Sequence, residues 1–224
     1  MSIISKETFE FLTDLKSNNN REWFTEYKPR YQQAHENVIA FTEALMGEMR
    51  KVDHIENESA KKTLFRIYRD VRFSKDKSPY KTHFAGSLKR ATKWLRGGYY
   101  FHIEPGNNTI AAGGFFSPSA GDMKIIRDDI AHNDAPLRSI LEEPQFVETF
   151  GGFQGEVLKT APKGYPKDHK AIDLLRHKQF YVRHVFSDEE VLSEDFVFSL
   201  VKTFLILRPY FDHMSEILTA HLED

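Results

Sequence analysis

The chain has 224 residues, of which 40% are hydrophobic and 29% are charged; this composition is typical of a folded protein and excludes an intrinsically disordered one. It contains no cysteine, so disulfides, cysteine-ligated zinc, iron–sulfur clusters and thiol catalysis are all excluded. The formal net charge of −2 argues against a general coating protein for nucleic acid.

The sequence also bears on location and domain number. The first residues, Met1 to Lys6, show no basic region followed by an apolar run, so we expect no secretory signal. No segment approaches the roughly 20 apolar residues that a membrane-spanning helix needs. With the absence of cysteine, these features predict a cytoplasmic protein without a membrane partner. The length suits one core, and we expect a single domain over residues 1–224.

Charge is unevenly distributed along the chain. Residues 61–96 contain twelve Lys or Arg residues and two acids, Asp70 and Asp76, which gives this segment a charge of +10 and the remainder −12. A cationic segment within an acidic chain attracts anionic ligands whatever the total charge. The alternative is that these side chains are solvated or paired with acids from neighbouring elements.

The first quarter of the chain is predicted to be helical. Ser5 is suited to cap a helix whose apolar residues recur at three- and four-residue spacing, and the asparagines at 18–20 end it. Trp23 and Phe24 are interpreted as core anchors. A longer helix follows near Pro29, and its apolar stripe is Val38, Phe41, Leu45, Met49 and Val52.

Alternating and aromatic segments predict an antiparallel sheet. The predicted strands are residues 85–91, 99–104, 109–116 and 178–186. The turn residues from Pro105 to Asn108 join the second and third strands as a hairpin. Alternation along the second strand places Tyr99, Phe101 and Ile103 on one face. The other face then carries Tyr100, His102 and Glu104, and it is free to bind a ligand.

The remaining segments are predicted to be helices with recognisable ends. They begin after Ser119, near Asp134 and after Pro144, with a short helix over residues 168–176. Ser187 and Glu190 have the spacing of a capping box. Residues 193–222 carry apolar side chains at helical spacing throughout and predict one long C-terminal core helix. The predicted fold class is therefore α+β, with about four strands packed against several helices.

The segment 63–84 is predicted to carry the function, because it interleaves cationic and aromatic side chains. Arginine suits phosphate and carboxylate because its planar guanidinium donates two parallel hydrogen bonds. An extended backbone would place Arg66 and Arg72 on one face and Arg69 on the other. A helical backbone would instead cluster Arg66, Arg69 and Asp70. Either conformation presents at least two guanidiniums beside one carboxylate, and the sequence leaves both open.

The predicted ligand site combines this segment with the open face of the second strand. Its members are Arg66, Arg69, Asp70, Arg72, Lys77, Tyr80, Lys81, His83, Tyr100 and His102. Asp70 is interpreted as a carboxylate that orients an arginine rather than as a catalytic base. Asp76 is interpreted as the cap of the turn over residues 77–79.

A divalent metal site is the weaker interpretation of the histidines. His102 and Glu104 share one face of the second strand. His83 and His184 join them if their strands are neighbours, and such a donor set would suit a divalent ion. However, the sequence contains no H-E-x-x-H or paired-histidine motif. We therefore predict no metal and no cofactor.

Four motifs along the chain carry a family resemblance. The central pattern R-x-x-R-D-x-R-F-S-x-D-K-x-P-Y-K-T-H spans residues 66–83. N-N-R-E-W-F lies at 19–24, G-Y-Y-F-H-I-E-P at 98–105 and T-A-P-K-G-Y at 160–165. Together these motifs resemble a bacterial family catalogued as domain of unknown function 2461, over essentially the whole chain. The resemblance implies a single-domain soluble protein, with no assigned activity or cofactor.

Three functional interpretations follow from the residues. The first is a binding module whose arginines and tyrosines hold a phosphate- or carboxylate-bearing ligand, either a small anion or single-stranded nucleic acid stacked on the aromatics. The second is an enzyme acting on a phosphorylated substrate or nucleic acid, in which His83 or His102 moves a proton. The third is a structural network, in which the arginines and Asp70 neutralise one another within the fold.

Overall fold

The structure is a computed structural model and describes residues 3–222. In chain order the helices are α1 (Lys6–Ser17), α2 (Arg21–Glu26), α3 (Lys28–Val52), α4 (Ala60–Thr63), α5 (Ala120–His132), α6 (Ala135–Leu141), α7 (Pro144–Phe150), α8 (Ile172–Leu175), α9 (Asp188–Val191), α10 (Phe196–Leu205) and α11 (Arg208–Thr219). The strands are β1 (Phe84–Lys89), β2 (Gly98–Ile103), β3 (Thr109–Phe115) and β4 (Phe180–Phe186). The predicted α+β class is confirmed.

The four strands form one antiparallel sheet in the order β1-β2-β3-β4. Along β2, the side chains of Tyr99, Phe101 and Ile103 are fully buried, whereas Tyr100 and His102 are partly exposed. The alternation predicted for this strand is confirmed, and it arises because successive side chains of a strand point to opposite faces of the sheet.

The chain divides into two compact units. The first contains the residues up to Leu88 together with 100–111 and 185–202. The second contains 89–99, 112–184 and the residues from Thr203 onwards. The single domain expected over residues 1–224 stays a prediction.

The core of the first unit forms around α3. This helix of 25 residues buries four of the five residues of the predicted apolar stripe, Val38, Phe41, Leu45 and Met49. Val52, at the end of the helix, was predicted to belong to the stripe but is 37% exposed. The ring centroid of Phe41 lies 6.3 Å from that of Phe101 on β2 and 5.4 Å from that of Phe196 on α10. Aromatic pairs at these separations stabilise a core beyond the area that they bury.

The core of the second unit is organised by buried tyrosines. Tyr99 packs against Phe204 and Phe211, with ring centroids 4.9 and 5.1 Å away. The hydroxyl of Tyr210 is fully buried and donates a hydrogen bond of 2.7 Å to the Phe180 carbonyl. This bond satisfies the one polar atom that the ring brings into the core.

The prediction of one long C-terminal helix is wrong. The segment forms two helices, α10 and α11, separated by a turn at residues 206–207. Pro209 lies in the first turn of α11. A proline is favourable there, but it has no N–H to donate to the preceding turn, so α10 cannot continue through it. The helix predicted over 168–176 is likewise shorter and covers only Ile172–Leu175.

Several predicted helix ends are confirmed by their capping bonds. Ser5 and Ser119 accept hydrogen bonds from the backbone N–H groups of Thr8 and Asp122. Ser187 and Glu190 form the predicted capping box. Within residues 3–222, no helix is both long enough and apolar enough to cross a membrane.

Candidate functional site

The central cationic segment is extended and pairs with the residues that follow it. Antiparallel bridges join Leu64 to Gly86 and Tyr68 to Tyr80. The N–H of Lys81 donates to the Ile67 carbonyl at 2.8 Å. We call residues 64–86 the arm, and residues 70–78 form the loop at its end. The structure therefore decides between the two conformations that the sequence left open.

The arm is fixed to the N-terminal helices through Tyr80. Asn19 donates from Nδ2 to the Tyr80 carbonyl at 2.9 Å and accepts from the Tyr80 N–H at 3.1 Å through Oδ1. The amide of Asn19 thus satisfies both backbone groups of one residue, as a neighbouring strand would. The ring of Phe24 stacks on that of Tyr80 with centroids 3.9 Å apart. Phe24 is buried, in agreement with its interpretation as a core anchor.

A hollow of about 400 Å³ lies beside the arm within the first unit. Its cationic lining comes from α1 and the arm: Lys16, Arg69 and Lys81. Its other lining residues are Asn19, Asp76, Ser78, Tyr80, Thr82 and His83. Three cations and one carboxylate therefore face this hollow, together with hydroxyl, amide and imidazole groups that are able to orient a polar ligand.

One of the three cations is paired with the lining carboxylate. The Arg69 guanidinium forms an ion pair with Asp76 and also donates to the Ser78 carbonyl at 3.1 Å. Asp76 caps the turn as predicted, because it accepts from the N–H and the hydroxyl of Ser78 at 2.9 and 2.6 Å. These Ser78 hydrogen bonds, followed by the one from Arg69, lower the pKa of Asp76 to about 2.

Lys81 differs from Arg69, because it has no carboxylate partner among residues 3–222. Its ammonium donates to the Arg66 carbonyl at 2.9 Å and lies 5.6 Å from the centroid of the Phe65 ring. Partial burial lowers the pKa of Lys81, and the nearby charge of Arg66 lowers it further. Its positive charge is therefore not compensated by a carboxylate in the described part of the chain, and Lys81 is one of the residues that line the hollow.

The open face of β2 carries a short hydrogen-bond chain. Nε2 of His102 lies 2.7 Å from the Asn108 carbonyl, which only accepts, so Nε2 carries the proton. In the neutral ring Nδ1 is then the acceptor, and it receives the Tyr100 hydroxyl at 3.1 Å. Burial raises the pKa of Tyr100, and the charge of Glu104 adds to this effect. This chain fixes the tautomer and orientation of His102.

His83 lies between this chain and the hollow. Its ring centroid is 4.8 Å from that of His102, and its Nδ1 is 3.7 Å from a carboxylate oxygen of Glu104. Burial lowers the pKa of His83 to about 4, and the neighbouring His102 and Lys81 side chains act in the same direction. His83 is therefore neutral at pH 7, and it is one of the residues that line the hollow.

The end loop of the arm presents its charges to solvent. Asp70 pairs with Arg72 through hydrogen bonds of 3.0 and 2.6 Å, which confirms its interpretation as an arginine partner. Arg66 is exposed and has no acidic partner among residues 3–222. Lys77 donates to the Val71 carbonyl at 2.9 Å. Arg66 and Arg72 are therefore not the buried and fully paired arginines that a structural network requires, whereas Arg69 is partly buried and paired.

The structure brings together part of the predicted site. Four predicted residues line the hollow: Arg69, Tyr80, Lys81 and His83. Tyr100 and His102 lie next to His83 on the open face of β2. The other four lie elsewhere on the arm: Arg66, Asp70, Arg72 and Lys77. His184 belongs to the second unit, where its Nδ1 lies 3.0 Å from the Thr149 carbonyl. The role of all ten predicted residues in ligand binding stays a prediction.

Sequence reasoning missed two lining residues, Lys16 and Asn19. Asn19 precedes Tyr80, its partner on the arm, by 61 residues, and Lys16 lies still earlier, so no local pattern connects them with the arm. The motif at 19–24 is the one sequence feature that could have pointed to Asn19, since a polar turn next to an aromatic pair suggests a tertiary contact rather than a solvent-exposed loop. Among residues 3–222, no group of three His, Asp or Glu side chains is arranged to hold a metal ion.

Comparison with known proteins gives a family and nothing more specific. The family model described as "Conserved hypothetical protein (DUF2461)" matches residues 7–213. No curated protein and no solved structure matches the chain. Because the family match extends over all but the two ends of the sequence, the chain belongs to the DUF2461 family of conserved hypothetical proteins.

Proposed function

We propose that the protein binds a small anionic ligand, bearing a phosphate or a carboxylate, in the hollow beside the arm. The single observation that carries the proposal is Lys81, a lining residue of the hollow whose ammonium has no carboxylate partner among the described residues. A partly desolvated cation gains more from a counter-ion than a solvated one does. A bound anion would supply that missing charge.

The neighbouring groups support an anion in the same place. Arg69 contributes a second cation, held by Asp76 and the Ser78 carbonyl so that its position is fixed. Lys16 contributes a third, and its nearest acid, Glu104, is 3.9 Å away. Asn19, Ser78 and Thr82 offer neutral polar groups on the same lining. This combination is suited to bind anionic oxygen atoms with charge-assisted and neutral hydrogen bonds.

Replacing Lys81 with glutamine tests the proposal. The wild-type protein should be stabilised against heat by inorganic phosphate or phosphoserine, relative to chloride of equal ionic strength, because a ligand that binds only the folded state raises its stability. We expect Lys81→Gln to weaken phosphate binding roughly 10- to 100-fold, since a hydrogen bond to a charged group contributes about 1.5–3 kcal/mol. Differential scanning fluorimetry across a phosphate titration measures both effects.

Lys77→Gln is the matched control for this experiment. Lys77 also donates to a backbone carbonyl of the arm, at the same distance of 2.9 Å, but it does not line the hollow. The control should retain wild-type phosphate binding. Equal losses in the two variants, or no phosphate stabilisation of the wild-type protein, would contradict the proposed site.

A second candidate function is an enzyme acting on a phosphorylated substrate. It is favoured by the imidazole of His83, which lines the hollow in its neutral form with the Glu104 carboxylate 3.7 Å away. Such a histidine accepts a proton from a nucleophile, while the nearby cations stabilise developing negative charge. The wild-type protein should then hydrolyse a chromogenic phosphomonoester, and His83→Gln should lose turnover while retaining phosphate affinity. If the wild-type protein shows no turnover, the enzymatic candidate is rejected and only the binding proposal remains.

The location of the protein belongs to the same proposal. We place it in the bacterial cytoplasm, where phosphorylated metabolites are abundant. The chain has no cysteine and forms no disulfide, so its folding does not require an oxidising compartment.

A further inference from the structure

A second feature of the arm lies outside the hollow, namely its exposed aromatic side chains. Five aromatic residues within 3–222 are strongly exposed, and three of them fall in the nine residues 65–73. Phe73, in the end loop, is 96% exposed and makes no ring–ring contact with the described residues. Single exposed hydrophobic residues are common, but a local group of three aromatics is typical of a binding surface.

Each of these aromatics has an arginine as its neighbour in the sequence. The pairs are Phe65 with Arg66, Tyr68 with Arg69, and Phe73 with Arg72. The guanidinium carbon of Arg72 lies 5.9 Å from the centroid of the Phe73 ring. Arg69 and Arg72 are themselves paired with Asp76 and Asp70, so uncompensated charge beside these rings must come from Arg66 and from the lysines of the arm.

Three cations of the arm outside the hollow remain available to a partner. Arg66 and Lys75 are exposed and form no ion pair among residues 3–222, and the Lys77 ammonium is bonded to a neutral carbonyl. The aromatic side chains are also accessible, because Phe65 and Tyr68 are 44% and 55% exposed.

We propose that the arm binds single-stranded nucleic acid, with bases stacking on its exposed aromatic rings and phosphates contacting Arg66, Lys75 and Lys77. A single strand repeats a planar base and a negative charge at every nucleotide, which matches the alternation of rings and cations on the arm. Base–aromatic stacking tolerates any base, so the interaction has little sequence preference. None of these residues lines the hollow, and the proposal does not depend on the ligand proposed there.

Two other anionic partners fit the arm less well. An anionic membrane would require apolar side chains grouped at the tip, but Phe73 is surrounded in sequence by Arg72, Ser74, Lys75 and Asp76, whose insertion would bury charge. An acidic peptide supplies negative charge without a planar group at each repeat. It would leave the exposed rings without partners.

Fluorescence anisotropy with labelled 15-nucleotide oligo(dT) and oligo(U) tests the proposal. At 50 mM salt at least one strand should bind, and Phe73→Ala should weaken binding about tenfold or more because one stacking platform is lost. Three phosphate contacts on a single strand predict a salt slope of about −2, equivalent to a roughly 20-fold loss between 50 and 200 mM salt. Arg66→Ala should reduce that slope by about 0.7.

The two control variants lie in the second unit and repeat the same types of substitution there. Phe116 is 61% exposed and Arg183 is exposed, so Phe116→Ala and Arg183→Ala remove the same groups elsewhere and should bind like the wild-type protein. Circular dichroism should show all four variants folded, since the altered side chains are exposed. Phosphate stabilisation in the hollow should persist in Phe73→Ala, so the two proposals fail separately.

Three results would overturn the inference. The first is absence of binding to both strands at 50 mM salt. The second is equal binding of polyglutamate and of the oligonucleotides without dependence on Phe73, which would indicate a simple polyanion surface. The third is Phe73-dependent binding to vesicles containing phosphatidylserine without binding to either strand, which would assign the arm to a membrane.

Discussion

Replacing Gly114 with alanine is expected to lower the free energy of unfolding by roughly 3 to 5 kcal/mol. Gly114 lies in β3 with φ of 123°, a conformation that L residues rarely adopt. A Cβ at this position would lie 2.3 Å from the Phe180 carbonyl oxygen and 2.6 Å from the α-carbon of Tyr181. Both atoms are backbone of β4, so relief of the clash requires the strands to separate. Urea unfolding monitored by circular dichroism measures the loss.

Gly152→Ala separates the two causes of this loss. Gly152 has a similar φ of 131°, but among residues 3–222 no atom other than those of Gly152 and its two chain neighbours lies within 4 Å of the position that an alanine methyl group would take there. It should therefore show only the conformational strain, about 1–3 kcal/mol. An equal loss in the two variants would mean that the strand contact at Gly114 contributes nothing.

Patterns with a short period predicted the fold well. The alternation of Tyr99, Phe101 and Ile103 was sufficient to assign the buried face of β2, because strand geometry fixes it locally. The caps at Ser119 and Ser187 were equally local. The break before α11 was missed because the apolar spacing continues through Pro209, and this periodicity carries no sign of the missing backbone donor. Helix α4, with four residues, is too short for any period to appear.

The candidate site was predicted in part, for a physical reason. Residues of the arm and of β2 were recognised because cations and aromatics are close together in the sequence. Their pairing was not: Arg69 with Asp76 and Arg72 with Asp70 depend on the conformation of the end loop. Lys16 and Asn19 reach the hollow only through tertiary packing of the N-terminal helices. The sequence therefore showed where the cationic side chains are concentrated, but which of them lack a carboxylate partner depends on the folded conformation.

Acid should destabilise the protein through His83, in a window set by its pKa in the unfolded and folded states. The pKa falls from 6.5 to about 4 on folding, chiefly because burial disfavours the charged ring. Between these two pH values the unfolded state binds the proton and the folded state does not. The contribution of the neutral His83 to the free energy of unfolding is therefore fully present above pH 6.5 and is lost as the pH falls towards 4. The loss is roughly 2 to 3 kcal/mol once the remaining exposure of the ring is allowed for.

His83→Gln should remove this contribution, because glutamine does not titrate. Urea unfolding at pH 7.5 and at pH 4 should show a fall in the free energy of unfolding that is smaller in His83→Gln than in the wild-type protein by that amount. His35 and His177, whose pKa values burial also lowers, are present in both proteins and cancel in the difference. His54→Gln, which removes an exposed histidine of the same unit, is the control. Its free energy of unfolding should fall between pH 7.5 and pH 4 by as much as that of the wild-type protein. Equal falls in the wild-type protein and His83→Gln would show that His83 is not desolvated beside the hollow, and the enzymatic candidate would lose the buried imidazole that favours it.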